Sequence, residues 1–233
     1  MTSKYQLLIF DMGGTLIKNT KLYDKIRCQF LYRTVKEKVT QKIIRDFEEY
    51  FHELRESIRS HEKRMFEFAI CGILRSACIR FGLTPIVSYE EMELNLVFEN
   101  IKFEIMPNSM KLFEYMKKSK YKVCVLSNSE LTSKTLKTIL RKTLPNWDCD
   151  EVFSSADLIY RKPSQEIFEV VLNKYMLKPQ DCCMIGNHLT DVVPAGKMGM
   201  NCFLLSTEEC KQDESLLYTI VPSLDSLIPY IEK

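Results

Sequence analysis

Short apolar runs alternate with longer amphipathic stretches over most of this 233-residue chain. The runs are typical of strands covered on both faces of a parallel sheet, and the stretches between them of helices. The runs occupy residues 5–10, 121–126, 151–153, 182–185 and 201–205, and the stretches residues 109–118, 131–141, 165–175, 191–198 and 224–231. Because alternating strands and helices pair the strands in parallel, we predict an α/β fold with a Rossmann-like parallel sheet flanked by helices.

Residues 22–103 have a different pattern, in which apolar positions recur every three or four residues. One apolar stripe runs from residue 43 to 58 and a second from 66 to 81, as expected of amphipathic helices. Gly82 is expected to end the second helix, and Ser88 with Glu91 to begin a third. This block is therefore predicted to be mostly or entirely helical.

The helical block follows the first predicted strand and separates it from the other strands. We therefore predict two domains. The α/β core is discontinuous and comprises residues 1–17 and 104–233, and an all-α cap of residues 18–103 covers the carboxyl edge of its sheet.

Composition narrows the possible partners and compartments. Hydrophobic residues make up 45% and charged residues 27%, and the net charge of +2 gives no reason to expect nucleic acid or a membrane surface as a partner. No apolar run is long enough to span a bilayer, and the first residues do not resemble a signal peptide. Of the nine cysteines, several lie inside apolar runs, so we expect reduced thiols and a cytoplasmic protein, either a monomer or a homodimer.

Polar residues follow several of the predicted strands. Asp11 ends the first apolar run and is followed by Gly13, Gly14 and Thr15. Parallel α/β sheets bind ligands at the carboxyl ends of their strands, although an Asp before two glycines can also be a simple turn residue. Comparable polar clusters come later, namely Ser127 with Asn128, Lys162, and Asn187 with His188 and Asp191.

Four motifs carry these residues in a fixed order. They read Phe-Asp-Met-Gly-Gly-Thr-Leu at 10–16, Val-Leu-Ser-Asn-Ser at 125–129, Arg-Lys-Pro-Ser-Gln-Glu-Ile-Phe at 161–168 and Ile-Gly-Asn-His-Leu-Thr-Asp-Val at 185–192. In this order the chain resembles the haloacid dehalogenase superfamily of hydrolases, with a helical cap inserted after the first strand. The resemblance implies a magnesium-dependent phosphatase that acts on a small phosphorylated metabolite through an aspartyl-phosphate intermediate.

The resemblance also implies a role for each motif residue. Asp11 would be the nucleophile, Thr15 would orient its loop, and Ser127 and Lys162 would bind the charged phosphoryl oxygens. Contacts to the substrate are expected from Gly14, Asn128 and His188. The implied magnesium ligands are Asp11, the backbone carbonyl of Gly13, Asn187 and Asp191.

Two positions depart from the phosphatase pattern. Gly13 stands where the family carries a second Asp that transfers protons, a contribution of about 10² to 10⁴ in rate. Asn187 replaces a metal-binding carboxylate, so we expect a weaker metal site. A histidine is a candidate for the missing base, and His188 is better placed than His52 or His61 because its loop borders the site.

These departures leave other functions open. Dehalogenases of the superfamily lack the second Asp, carry an aromatic residue there and need no metal. Phosphonate-cleaving members carry a small residue there, like Gly13, and use a lysine of the cap, which we match to no particular lysine here. A further alternative is a binding or regulatory module that no longer catalyses a reaction.

Overall fold

A six-stranded parallel sheet forms the centre of the structure, a computed structural model that describes residues 5–22, 26–60, 65–119, 121–145, 147–207 and 217–232. The strands are β1 (Leu7–Phe10), β2 (Ile17–Leu22), β3 (Ile101–Ile105), β4 (Lys122–Ser127), β5 (Glu151–Ser154), β6 (Cys182–Gly186), β7 (Asn201–Leu205) and β8 (Thr219–Val221). The order in the large sheet is β5-β4-β1-β6-β7-β8, and β2 pairs with β3 in a separate ribbon.

Helices cover both faces of the sheet. They are α1 (Leu31–Thr34), α2 (Gln41–Arg59), α3 (Ile70–Arg80), α4 (Tyr89–Asn100), α5 (Met110–Lys118), α6 (Ser133–Thr143), α7 (Ser155–Leu158), α8 (Gln165–Tyr175), α9 (Leu189–Lys197) and α10 (Ile228–Ile231). Of these, α1–α4 form a layer of their own. Two 3₁₀ turns lie at Pro179–Asp181 and Asp225–Leu227.

The predicted α/β fold is confirmed, because all five strands expected from apolar runs lie in the parallel sheet. β1 is fully buried in the middle, where Phe10 is in register with Val125 of β4 and Ile185 of β6. β8 was not predicted, since its three residues are too few to show a pattern. The expected last helix is a 3₁₀ turn followed by the four-residue α10.

The carboxyl edge of the sheet gathers the motif residues. Asp11 follows β1 directly, Ser127 is the last residue of β4, and Asn187 follows β6 directly. Lys162 lies in the loop between α7 and α8, after β5. Parallel strands place these chain ends side by side.

Residues 26–60 and 65–100, which we call the helical insert, carry α1–α4 and a hydrophobic cluster of their own. Phe47, Phe51 and Leu74 are completely buried there. Threonine and serine caps begin two of the helices, as Thr40 accepts a hydrogen bond from the backbone N–H of Ile43 and Ser88 from that of Glu91.

The second apolar stripe is shorter than predicted. α3 begins at Ile70, whereas Phe66 is 57% exposed and forms a β-bridge with Tyr160. The predicted end of that helix is confirmed, because Gly82 follows α3 with a positive φ of 62° and the N–H of Leu83 reaches back to the carbonyl of Cys78.

The block that was predicted to be mostly or entirely helical is mostly helical, but a strand at each end contradicts an all-α cap over residues 18–103. Ile17–Leu22 and Ile101–Ile105 pair as the antiparallel ribbon β2–β3, with a register shift between Asn19 and Lys21. In β3 the apolar residues Ile101, Phe103 and Ile105 alternate with charged ones, the period of a strand. The ribbon crosses the expected limits of the cap, and the division into two domains stays a prediction.

Within the ranges that the structure describes, no helix is both long and apolar enough to cross a membrane. Eight cysteines fall in those ranges and all are free thiols, while Cys210 lies outside them.

Candidate active site

Lys162 is the electrostatic centre of the carboxyl edge. Its side chain is almost fully buried, and its Nζ donates hydrogen bonds to Asp11 Oδ1 at 2.6 Å and to the carbonyl of Leu126 at 2.9 Å. A third contact, also 2.6 Å, joins Nζ to Asp191 Oδ1. An ammonium group has three protons, so these partners fix the position of Nζ next to the first two motif strands.

Burial and neighbouring charges shift the pKa values of this cluster in opposite directions. Burial alone would lower the pKa of Lys162, but the carboxylates of Asp11 and Asp191 outweigh it and raise that pKa above its ordinary value. Burial raises the pKa of Asp11, and the neighbouring Lys162 opposes this shift. Lys162 therefore carries a positive charge at neutral pH.

Thr15 connects Asp11 with Asn187. Its buried Oγ1 lies 3.2 Å from Asp11 Oδ2 and 3.1 Å from Asn187 Oδ1. The neighbouring Gly14 has a φ of +76°, and a Cβ atom there would lie 2.4 Å from Asn187 Nδ2. Only glycine permits both this backbone conformation and this approach, so Gly14 is needed to bring the first and last motifs together.

Asp191 and His188 hold the beginning of α9. Asp191 Oδ2 accepts the backbone N–H of His188 at 3.0 Å, and His188 Nδ1 accepts the backbone N–H of Thr190 at 3.2 Å. These reciprocal bonds form a capping box and orient the exposed His188 ring. The expected roles of Asp191 at a metal and of His188 at the substrate stay predictions.

Asn128 joins the loop after β4 to the loop that carries Lys162. Its Nδ2 donates to the carbonyl of Lys162, and its Oδ1 accepts the N–H of Lys162, both at 2.8 Å. Ser127, the preceding residue, is buried at the end of β4. The side chain of Asn128 thus positions the backbone of Lys162, a contact that the sequence did not predict, and its expected contact to the substrate remains a prediction.

Gly13 leaves open space two residues after Asp11. A Cβ atom at this position would meet no atom within 4 Å, and the residue is exposed. The site therefore has room for the missing acid at this point. The sequence supplies no titratable side chain there.

The predicted metal ligands are oxygen atoms, which magnesium prefers, but only Asp11 and Asp191 are carboxylates. The oxygens of Asp11 and Asn187 converge on Thr15, and magnesium prefers oxygen ligands. Asp11 and Asp191 each contact Lys162, and in the described parts of the chain no group of three or more His, Cys, Asp or Glu is arranged to hold a metal ion. Asp11, the Gly13 carbonyl and Asn187, with support from Asp191, remain the predicted ligands of a weak site.

A second set of charged contacts links the helical insert to the carboxyl edge. Glu130, in the loop after β4, accepts hydrogen bonds from Arg55 Nε at 2.7 Å and Arg59 Nε at 2.5 Å. Glu93 of α4 accepts the N–H and the hydroxyl of Thr132 at 3.0 and 2.6 Å. In the sequence these arginines are only two cations four residues apart on a helix, and no local signal indicates their partner.

A cavity of about 420 Å³ lies between the helical insert and the sheet. Polar residues from both sides line it, and they include His52, Arg55, Arg59, Asn128, Ser129 and Arg161. His52 is thus on the wall of the cavity, whereas His61 lies outside the described residues.

Known proteins are similar to this chain in sequence and in fold. A family model described as haloacid dehalogenase-like hydrolase matches residues 5–199. A glyceraldehyde 3-phosphate phosphatase of Methanothermobacter thermautotrophicus is 29% identical over 117 residues, which cover 48% of this chain and 51% of that enzyme. One of the same name from Methanocaldococcus jannaschii is 23% identical over 97% of this chain and 96% of its own length. The crystal structure of a dehalogenase with an intermediate complex covers the whole of both chains at 16% identity and a TM-score of 0.59.

Proposed function

The chain belongs to the haloacid dehalogenase-like hydrolases, and on that premise we propose that it is a magnesium-dependent phosphatase for a small phosphorylated metabolite. The contact of Lys162 with both Asp11 and Asp191 carries the proposal, because it places one buried cation against a carboxylate at a strand end. The names of the archaeal relatives, which specify glyceraldehyde 3-phosphate, support a phosphate ester as the substrate.

In the proposed reaction a carboxylate oxygen of Asp11 attacks the phosphorus atom, and the bond to the leaving oxygen breaks. Lys162 and the hydroxyl of Ser127 meet the negative charge of the phosphoryl oxygens, and Thr15 holds the carboxylate of Asp11 in place. Water then hydrolyses the aspartyl phosphate and restores Asp11. Magnesium, when held by the predicted ligands, would reduce the repulsion between the anionic nucleophile and the anionic ester.

The leaving group would depart without a positioned acid, since Gly13 occupies the place of the proton donor. An alkoxide is a poor leaving group, whereas p-nitrophenolate leaves without protonation. The proposal therefore implies a strong dependence of the rate on the leaving group.

The first test is hydrolysis of p-nitrophenyl phosphate and glycerol 3-phosphate with magnesium or with EDTA. We expect magnesium-dependent release of phosphate that Asp11→Asn lowers by roughly a thousandfold or more, as loss of a covalent nucleophile does. Asp46→Asn, which changes a half-buried aspartate of α2, is the control and should retain full activity.

Other outcomes of the same test decide between the alternatives. Undiminished turnover in Asp11→Asn would refute the proposed nucleophile. Release of chloride from 2-chloropropionate without any phosphatase activity would favour a dehalogenase. Binding of phosphate without turnover of any ester would favour a regulatory module.

A further inference from the structure

We propose that the cavity between the helical insert and the sheet is a second anion-binding subsite, in which Arg55 binds a carboxylate on the leaving part of the substrate. This inference rests on the proposed function and names its substrate class, a phosphate monoester that also carries a carboxylate. Arg59 and Arg161 would complete the subsite.

The cavity adjoins the phosphoryl site through two short segments of chain. Asn128 and Ser129 line it and directly follow Ser127, and Arg161 lines it and directly precedes Lys162. The opposite wall belongs to α2 of the helical insert. A substrate whose phosphate lies beside Lys162 would therefore extend its other end towards the arginines of α2.

The glutamates Glu56, Glu67 and Glu130 line the cavity together with its three arginines. Arg59 lies 3.6 Å from Glu56 in addition to its contact with Glu130, whereas Arg55 contacts Glu130 and shares it with Arg59. The bonds from Arg55 and Arg59 to Glu130 use Nε, and within the described residues the terminal nitrogens of Arg55 make no hydrogen bond. Glu130 thus fixes the orientation of Arg55 and leaves its terminal edge for a ligand, the edge that binds planar carboxylates in pairs.

Arg161 adds a second observation on the core side of the cavity. Its Nε is buried and has no hydrogen-bond partner among the described residues, although Glu67 Oε2 lies 3.4 Å away. A buried donor of this kind is costly unless a ligand or water satisfies it. Donors from the helical insert and from the core therefore line the same cavity.

A volume of about 420 Å³ is within the range of sites for small organic ligands. Partial burial strengthens the attraction, because only 21% of the Arg55 side chain and 23% of that of Arg161 are exposed. The proposal excludes a purely apolar leaving group as the preferred one, since such a group would leave the terminal nitrogens of Arg55 and the Nε of Arg161 without an acceptor.

The test compares acids with alcohols of the same length, on protein that cannot turn them over. Calorimetric titration of Asp11→Asn would use 3-phosphoglycerate against glycerol 3-phosphate and 6-phosphogluconate against sorbitol 6-phosphate. We expect at least one acid to bind roughly tenfold more tightly than its alcohol, the size of one charge-assisted bond pair. Arg55→Gln in the same background should reduce that ratio to about twofold or less, and Arg45→Gln, an exposed arginine of the same helix, should leave it unchanged.

Arg55→Lys is a second variant that keeps the charge and should retain part of the preference, even if Arg55→Gln fails to fold. Equal affinities within both pairs, or no binding of either member, would overturn the subsite. An equal loss of affinity for the acid and the alcohol in Arg55→Gln would also overturn the subsite, because the arginine would then only hold the helical insert to the core. Failure of the phosphatase proposal would appear separately, as absent turnover by the unaltered protein.

Discussion

At the scale of single residues, the position of Gly13 decides how the proposed enzyme handles protons. An aspartate fits there, since a Cβ atom meets nothing within 4 Å and φ is not positive. We predict that Gly13→Asp raises kcat for glycerol 3-phosphate by about 10²-fold, the lower range for general acid catalysis. The gain for p-nitrophenyl phosphate should be much smaller, because its leaving group needs no proton.

Gly13→Asn is the matched control, since it has the same shape without a transferable proton and should show no gain. Steady-state phosphate release with the two esters measures both variants. A gain of equal size with either ester, or with Asn, would contradict the role assigned to this position.

Asn187 sets the strength of the predicted magnesium site. Replacing its amide by a carboxylate adds a negative charge at an oxygen that already lies beside Thr15 and Asp11. We predict that Asn187→Asp lowers the magnesium concentration for half-maximal activity by roughly tenfold, because charge count tunes the affinity of such sites. Magnesium titrations of the activity check this, with Asn173→Asp on the exposed face of α8 as the control. An unchanged half-maximal concentration would remove Asn187 from the set of ligands.

The sequence predicts part of this site for a simple reason. Residues directly after parallel strands must meet at one edge, so the order of the strands and motifs is enough to group Asp11, Ser127 and Asn187. The pairing of Arg55 with Glu130 could not be predicted, because 75 residues separate them and only the packing of α2 brings them together. The contact of Asn128 with Lys162 depends in the same way on where two loops cross.

At the scale of elements, the spacing of apolar residues predicts a helix or strand best where that element is buried in the folded protein. The limits of α8 and β7 agree with the sequence, because α8 buries one face and the apolar run of β7 has two buried residues, Cys202 and Phe203. The ribbon β2–β3 was missed because its strands lie at the ends of a block rich in charged residues and pair across more than 70 residues. The local pattern of apolar residues does not indicate which distant strand a segment pairs with.

Glu93 is the contact through which α4 holds the beginning of α6, and it should make stability depend on pH. Burial raises its pKa above the ordinary 4.5, although bonds from Thr132 oppose the shift. Because its pKa is raised in the folded state, the contribution of Glu93 to stability is fully present below about pH 4.5 and is lost as the pH rises through the folded value.

Glu93→Gln keeps an oxygen that can accept from Thr132 and removes the charge. We predict that its unfolding free energy changes less between pH 4.5 and 7 than that of the unaltered protein. Urea unfolding at several pH values measures this, with Glu53→Gln on the exposed side of α2 as the control. Identical pH dependence in the two proteins would show that Glu93 titrates normally.

At the scale of the whole molecule, the described residues form three hydrophobic clusters, one in the helical insert and two on the sheet. Phe47 and Leu74 belong to the cluster of the helical insert, and Leu8 to a cluster on the sheet. Polar contacts such as those of Glu93 and Glu130 join the two parts. The predicted cap and core are therefore expected to unfold locally and independently of each other.

We predict that Leu74→Ala costs about 2–5 kcal/mol, as expected for a completely buried leucine, and that the loss stays within the helical insert. Hydrogen exchange should become faster in α2 to α4 while β1 and β4 remain protected. Leu8→Ala, at an equally buried position, should instead weaken the sheet. Equal acceleration of exchange in both parts would show that the molecule unfolds as one unit.

The ribbon β2–β3 also bears on how such a molecule could have acquired its extra helices. Leu22 and Ile101 are paired, so the points where the chain enters and leaves the helical insert are already adjacent. Closing a loop between adjacent ends costs only about 0.6 kcal/mol more for each doubling of its length. The ribbon is therefore a position at which segments of very different size can be inserted or exchanged during evolution. Such an exchange would leave the sheet that carries the site unchanged.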